Sequence, residues 1–318
     1  MAESSLRVVQ FVHPGFEYHR REHLGHQRIR SGVMKWKRGR TPHDRKFLLT
    51  WGSLLAPDTG EDHARAPLAF WGEWEGPSVF WRVESPNKPL PSVLHSPFRP
   101  ATCPPEPVQN TDPLVFGDAF VYSNCLQPTY SSLRTLTPGS IVLFGRYGRV
   151  AGQGSFSLDT CLVIGHREAL SPVPFDIDCY GSDLLTDMVL SPLHTEGVDW
   201  TLAVYSGVRR SADVAAPFSF FPAQLIADAV PLFVRPELRP IGALDGIVSP
   251  GNMQGIKVTS NLSVTDRDAI WSEVVRQVAQ WGCGLGYYAS PPPVLDDVTV
   301  GSVANDVPAP IGDSEHRR

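Results

Sequence analysis

The chain has 318 residues, a formal net charge of −5 and 42% hydrophobic residues, enough apolar material for a sizeable core. Charged residues make up only 19%, and 30 prolines with 27 glycines punctuate the chain, which disfavours long helices and suits short strands joined by turns. The first residues lack the apolar run of a signal peptide, no stretch approaches the roughly 18 apolar residues of a membrane span, and five scattered cysteines without a C-x-x-C pair argue against a disulfide framework and against structural zinc. The expected compartment is therefore the cytoplasm, with no membrane partner.

Residues 6–12 predict a buried first strand, ended by the turn His13-Pro14-Gly15. Residues 19–46 then hold ten of the 28 lysines and arginines: Arg20, Arg21, Arg28, Arg30, Lys35, Lys37, Arg38, Arg40, Arg45 and Lys46. Only Glu22 and Asp44 oppose them. Sparse apolar residues make this stretch read as a long surface loop. A strand is predicted over 46–51. The aromatic runs ending at Trp74 and starting at Phe80 predict a hairpin across residues 75–78.

Eight prolines fall within residues 86–107, a density that predicts no regular element. That stretch is the expected subdomain boundary inside one globular domain, residues 1–290. A short strand follows around Phe120–Tyr122. Residues 140–148 and 155–165 predict an antiparallel pair. Asp159 lies inside the second strand, with Arg146 and Arg149 as its expected partners. A further strand is predicted over 198–207 and a buried aromatic run over 218–223. Ile270, Trp271, Val274, Val275, Val278 and Trp281 recur at helical spacing. Thr265 is the expected N-cap with Asp268 behind it, and Gly282 the expected C′ glycine. Residues 291–318 read as a disordered tail. The expected fold class is α+β, mainly antiparallel sheet or a small barrel, with a few packed helices.

Phosphate-loop, dinucleotide, zincin and nucleophile-elbow motifs are absent. The basic stretch, taken as Arg20, Arg21, Lys35, Lys37, Arg38, Arg40, Arg45 and Lys46, suits phosphate binding. It also suits a plain solvated loop. A constellation of His13, Glu17, His19, His23, His26 and His43 overlaps this stretch. Arginines interleaved among these histidines repel a metal ion, so neither a metal nor another cofactor is expected. Trp71, Trp74 and Tyr122 offer faces on which a base could stack, and Asn110 and Asn124 offer amides that could read its edge. All five could equally be core or turn residues. Asp112, Asp118 and Asp159 are the candidate catalytic carboxylates.

Residues Pro138-Gly139-Ser140-Ile141-Val142-Leu143-Phe144, followed by Leu158-Asp159-Thr160, resemble the strand–turn–strand unit of PUA-like and ASCH-like barrels, which bind RNA or modified bases. The stretch that carries them, Leu136 to Gly165, covers about a tenth of the chain. More loosely, the whole chain resembles bacterial proteins of DNA-base modification and phage defence, modified-base glycosylases among them. The resemblance implies a nucleic-acid partner, DNA foremost, and base excision: cations hold phosphate, aromatics stack an extruded base, and a carboxylate stabilises the sugar cation. Two alternatives stay open. One is a non-catalytic reader of modified nucleic acid. The other is an enzyme for a free anionic nucleotide or sugar.

Overall fold

The computed structural model describes residues 5–13, 15–17, 31–37, 43–83, 92–100, 108–118, 120–124, 130–150, 153–170, 184–195, 201–211, 216–226, 234–252 and 255–295. The strands of the first half are β1 (Leu6–Val12), β2 (Gly15–Glu17), β3 (Ser31–Met34), β4 (His43–Leu55), β5 (Asp62–Glu73), β6 (Ser78–Val83), β7 (Ser92–Pro97), β8 (Arg99–Pro100) and β9 (Val121–Ser123). Those of the second half are β10 (Ile141–Val150), β11 (Gln153–Leu170), β12 (Leu202–Gly207), β13 (Phe221–Leu225), β14 (Glu237–Leu238), β15 (Gly255–Leu262), β16 (Gly284–Ala289) and β17 (Val294–Leu295). A short helix α1 (Ser191–Thr195) continues a π turn, and α2 (Val264–Gln280) is the long helix. The chain is thus a mainly sheet α+β protein.

Two sheets organise it. One runs β15-β1-β10-β11-β12-β9, with β14 added to β11. The other runs β16-β13-β5-β4-β7-β6-β3, with β2 on β4. Because β16 also pairs with the far end of β4, strands β4, β5, β13 and β16 close into a ring.

The first sheet is apolar on both faces, and β1 shows why its sequence is nearly continuous in hydrophobic residues. Successive side chains of a strand point to opposite faces. Val9 and Phe11 enter the core between the two sheets. Val8 and Val12 enter a second core on the other face, with Ile270, Val274 and Val278 of α2. His13 has the parity of Val9 and Phe11 and packs edge-on against Phe11, with ring centroids 5.0 Å apart.

The strand pair β10–β11 forms as predicted, with one irregularity that matters. Phe144 faces Thr160 and Gly145 faces Leu158, so Asp159 is an extra residue in β11. Such a bulge bends the strand and re-aims its side chains. Leu158 and Cys161, three positions apart, therefore share one core. Gly145 is required there, since a Cβ would stand 2.0 Å from the Ser157 carbonyl oxygen.

Several expectations are corrected. Strand β5 pairs with β4 and β13 and not with β6, so no hairpin spans residues 75–78. That link instead dives inward, with Trp74 donating from Nε1 to the Pro77 carbonyl. The supposed surface loop contains β3 and the start of β4. The proline-rich stretch carries β7 and β8, with Pro97 and Pro100 at strand ends, where a missing N–H costs little. Helix α2 starts two residues earlier than expected: Ser263 is the N-cap and forms a capping box with Asp266. Gly282 does take the left-handed conformation of a C′ glycine, at φ 69°. Val294–Leu295, within the expected tail, pairs with β8, while residues 296–318 lie outside the described ones.

Candidate functional site

Strand β4 enters the second sheet with His43, Arg45 and Lys46. Adjacent positions face opposite ways, yet both Arg45 and Lys46 are buried, so both faces of the strand are covered at this end. Burying a charge without a partner costs several kcal/mol. The partners come from every side.

Arg45 uses all three of its nitrogens. Nε donates to Asp159 Oδ2 at 3.1 Å, one terminal nitrogen donates to Glu73 Oε2, and the other lies 2.8 Å from His13 Nδ1. Asp159, aimed inward by its bulge, is also gripped at two points by Arg235, Nε to Oδ1 and Nη2 to Oδ2, both at 2.7 Å. The Arg235 guanidinium covers the ring of Trp71 at 5.4 Å. Lys46 donates to the Trp74 carbonyl and lies 3.7 Å from Glu75.

Glu73 and Glu75 close the cluster. His43 Nδ1 stands 3.0 Å from Glu73 Oε1 and 3.3 Å from Glu75 Oε1. The Asp112 backbone N–H donates to Glu73 Oε1, and the Asp112 carboxylate in turn accepts from the backbone and hydroxyl of Ser123. Arg45, Lys46 and Arg235 thus balance Glu73, Glu75 and Asp159. The side chains of His43 and Lys37 are 18% and 14% exposed, while Glu73, Glu75 and Lys46 are at 0%. The cluster therefore meets solvent on the His43 and Lys37 side.

The two histidines are driven apart. Their ring centroids are 5.3 Å from each other, with Glu73 contacting both. Burial, reinforced by Arg45 and His43 and only partly opposed by Glu73, lowers His13 to about 3. For His43 burial also favours the neutral ring, but Glu73 and Glu75 outweigh it and raise the group to about 10. At neutral pH His13 is neutral and His43 is a cation. Burial alone would raise Glu73, yet His43 and Arg45 hold it well below the usual carboxylate range. Glu75 is likewise lowered, by Lys46 and His43, against its burial.

His43, Glu73 and Glu75 bring three donor atoms close enough to hold a cation. The surrounding charge opposes a metal: Arg45 occupies the second oxygen of Glu73, and Lys46 and Lys37 flank the second oxygen of Glu75. His43 Nδ1 itself approaches both carboxylates within ion-pair distance, so the ring competes with a metal for the same oxygens.

The sequence-predicted residues divide sharply. Arg45 and Lys46 are buried and neutralised by carboxylates, so they do not belong to an exposed phosphate-binding surface. Lys35 is exposed and Lys37 half-buried at the mouth of the cluster. Arg20, Arg21, Arg38 and Arg40 lie outside the described residues, though in sequence they adjoin β2 and the start of β4. Trp74 and Tyr122 are core residues and not an open platform: Trp74 packs on Phe116, and Tyr122 stacks on Tyr205. Trp71 is half-buried beneath Arg235. Asp112 and Asp159 enter the cluster with fixed partners, and Asp118 is exposed on a loop. Of the expected partners of Asp159, Arg146 faces Ser157 across the hairpin, the side chain of Arg149 lies outside the described ones, and the carboxylate turns to Arg45 and Arg235. Asn110 and Asn124 are buried, and Asn124 Oδ1 accepts from the Ala203 N–H. Their Nδ2 groups make no hydrogen bond among the described residues.

Glu73, Glu75 and Arg235 are the members of the cluster absent from the candidate site residues. In the sequence Glu73 and Glu75 flank Trp74, a pattern that suits either a base-stacking site with a carboxylate beside it or a core next to exposed acids, and nothing local marks Arg235. No family model, curated protein or solved structure matches the chain.

Proposed function

We propose that the chain is an enzyme acting on nucleic acid, most specifically a DNA glycosylase that excises a modified base. The observation that carries this reading is the His13–Glu73–His43 line. Titratable groups whose environments push their protonation apart mark candidate acid and base roles. His43 is the general acid, its proton passing to the departing base as the glycosidic bond breaks. Glu75 stabilises the cationic sugar and orients water. Asp112 and Asp159 position these groups and do not react. Two buried amide donors, on Asn110 and Asn124, remain for the acceptors of a base edge. The cationic run at 20–40 adjoins this mouth in sequence and supplies phosphate contacts.

The test is base release from duplex DNA carrying modified or unmodified bases, read as alkali-labile strand breaks. Release is expected from the wild-type chain and a loss of about a hundredfold or more from His43→Ala and Glu75→Gln. Salt-sensitive DNA binding without release would point to a non-catalytic reader. Turnover of free nucleotides without polymer would point to a small-molecule enzyme.

A further inference from the structure

We infer that Asp159 and Arg235 are positioning residues that, through Arg45, fix His13 as the neutral ring carrying its proton on Nε2. The argument rests on donor inventory. A guanidinium only donates hydrogen bonds. Arg45 Nη2 lies 2.8 Å from His13 Nδ1, so Nδ1 holds the lone pair and the proton is on the other nitrogen. The 3.3 Å approach of Glu73 Oε2 to the same Nδ1 is then a contact between two acceptors, with Arg45 donating to both.

The orientation of Arg45 is what decides the tautomer. Its Nε is held by Asp159 Oδ2, and Asp159 cannot rotate because Arg235 grips both carboxylate oxygens. Arg235 is itself settled over Trp71. A chain of contacts thus runs from Trp71 to His13 through three polar side chains, Arg235, Asp159 and Arg45, with the two-point grip at the Arg235–Asp159 link. The consequence for ligand class rests on the reading above: with its proton on Nε2, His13 is a donor on the edge turned away from Arg45, so a base that reaches that edge must bring an acceptor, a carbonyl oxygen or an unprotonated ring nitrogen.

The experiment uses the full chain labelled with 15N-histidine and long-range 1H–15N correlation at pH 7, without ligand. His13 is expected to show a pyridine-like Nδ1 and a pyrrole-like Nε2 as one fixed tautomer. An Nδ1–H tautomer or an imidazolium would overturn the inference from the wild-type spectrum alone, even if every variant failed to fold. Asp159→Asn, and Arg235→Lys, which keeps the charge but loses the two-point grip, are expected to lose the single-tautomer pattern. Unchanged spectra in folded variants would overturn the relay. For the ligand class, His13→Phe is expected to weaken DNA binding about tenfold or more, whereas His13→Gln, whose amide still donates, holds it. Equal loss in both removes the donor role. A fixed tautomer in a protein that releases no base would sink the glycosylase reading and leave the tautomer assignment standing.

Discussion

Arg45 and Asp159 stand 114 residues apart in the chain and meet at 3.1 Å, one from each sheet. Arg235 shares the same carboxylate, so a single side chain bridges two buried guanidinium groups.

Removing that carboxylate is expected to be costly. Asp159→Leu leaves two cations buried together without their common anion, and breaking a buried pair costs about 3–5 kcal/mol. Urea unfolding followed by tryptophan fluorescence measures it. A loss below about 1 kcal/mol would mean that water reaches the site and the pairing contributes little.

Stability is expected to peak near pH 6.5 and to decline on both sides. His13 titrates at about 3 when folded against 6.5 when unfolded, so the unfolded chain binds the extra proton between those values. Stability is therefore lost as pH falls from 6.5 towards 3. His43 titrates at about 10 when folded, so its contribution is complete below 6.5 and is lost as pH rises from 6.5 to 10. The lowered Glu73 and Glu75 steepen the acid side below about 4.5. Unfolding midpoints across this range, with His43→Gln, check the assignment. The variant should flatten the alkaline limb and leave the acid decline from His13 in place.

Divalent cations are expected to leave the melting temperature unchanged, before and after chelation. The three donors around His43 sit among cations that already neutralise their carboxylates. A saturable rise in melting temperature with zinc or manganese, absent in Glu75→Gln, would show that a metal displaces the His43 proton.

Gly145→Ala is expected to destabilise the fold by about 1–3 kcal/mol. Its Cβ would collide with the Ser157 carbonyl beside the bulge that aims Asp159. Gly251→Ala, where a Cβ meets nothing within 4 Å, serves as the control and should stay within about 0.5 kcal/mol. Equal unfolding midpoints would show that β11 can shed its extra residue without loss.

Local signals were readable where local physics decides. The β10–β11 pair followed from apolar alternation and turn chemistry, and α2 from its periodicity and its terminal glycine. Errors arose where partners are distant. The aromatic arms ending at Trp74 and beginning at Phe80 looked like one hairpin, but β4 and β7 lie between them in the sheet. Arg45 and Lys46 looked like surface cations because Asp44 is their one close acidic neighbour in sequence, within a stretch dominated by lysine and arginine. Their counter-charges arrive from Glu73, Glu75 and Asp159, which only the tertiary fold brings together. Asp159 itself was legible as an anomaly in an apolar strand, whereas the bulge that turns it inward was not.

The cluster draws Asp159 and His13 from one sheet and Arg45 and Glu73 from the other, so neither layer is electrically complete by itself. A half-built molecule with a single layer formed would strand its ions against apolar neighbours. The two layers are therefore expected to dock and melt as one cooperative unit, with hydrogen exchange in β1 and β4 reporting the same opening free energy.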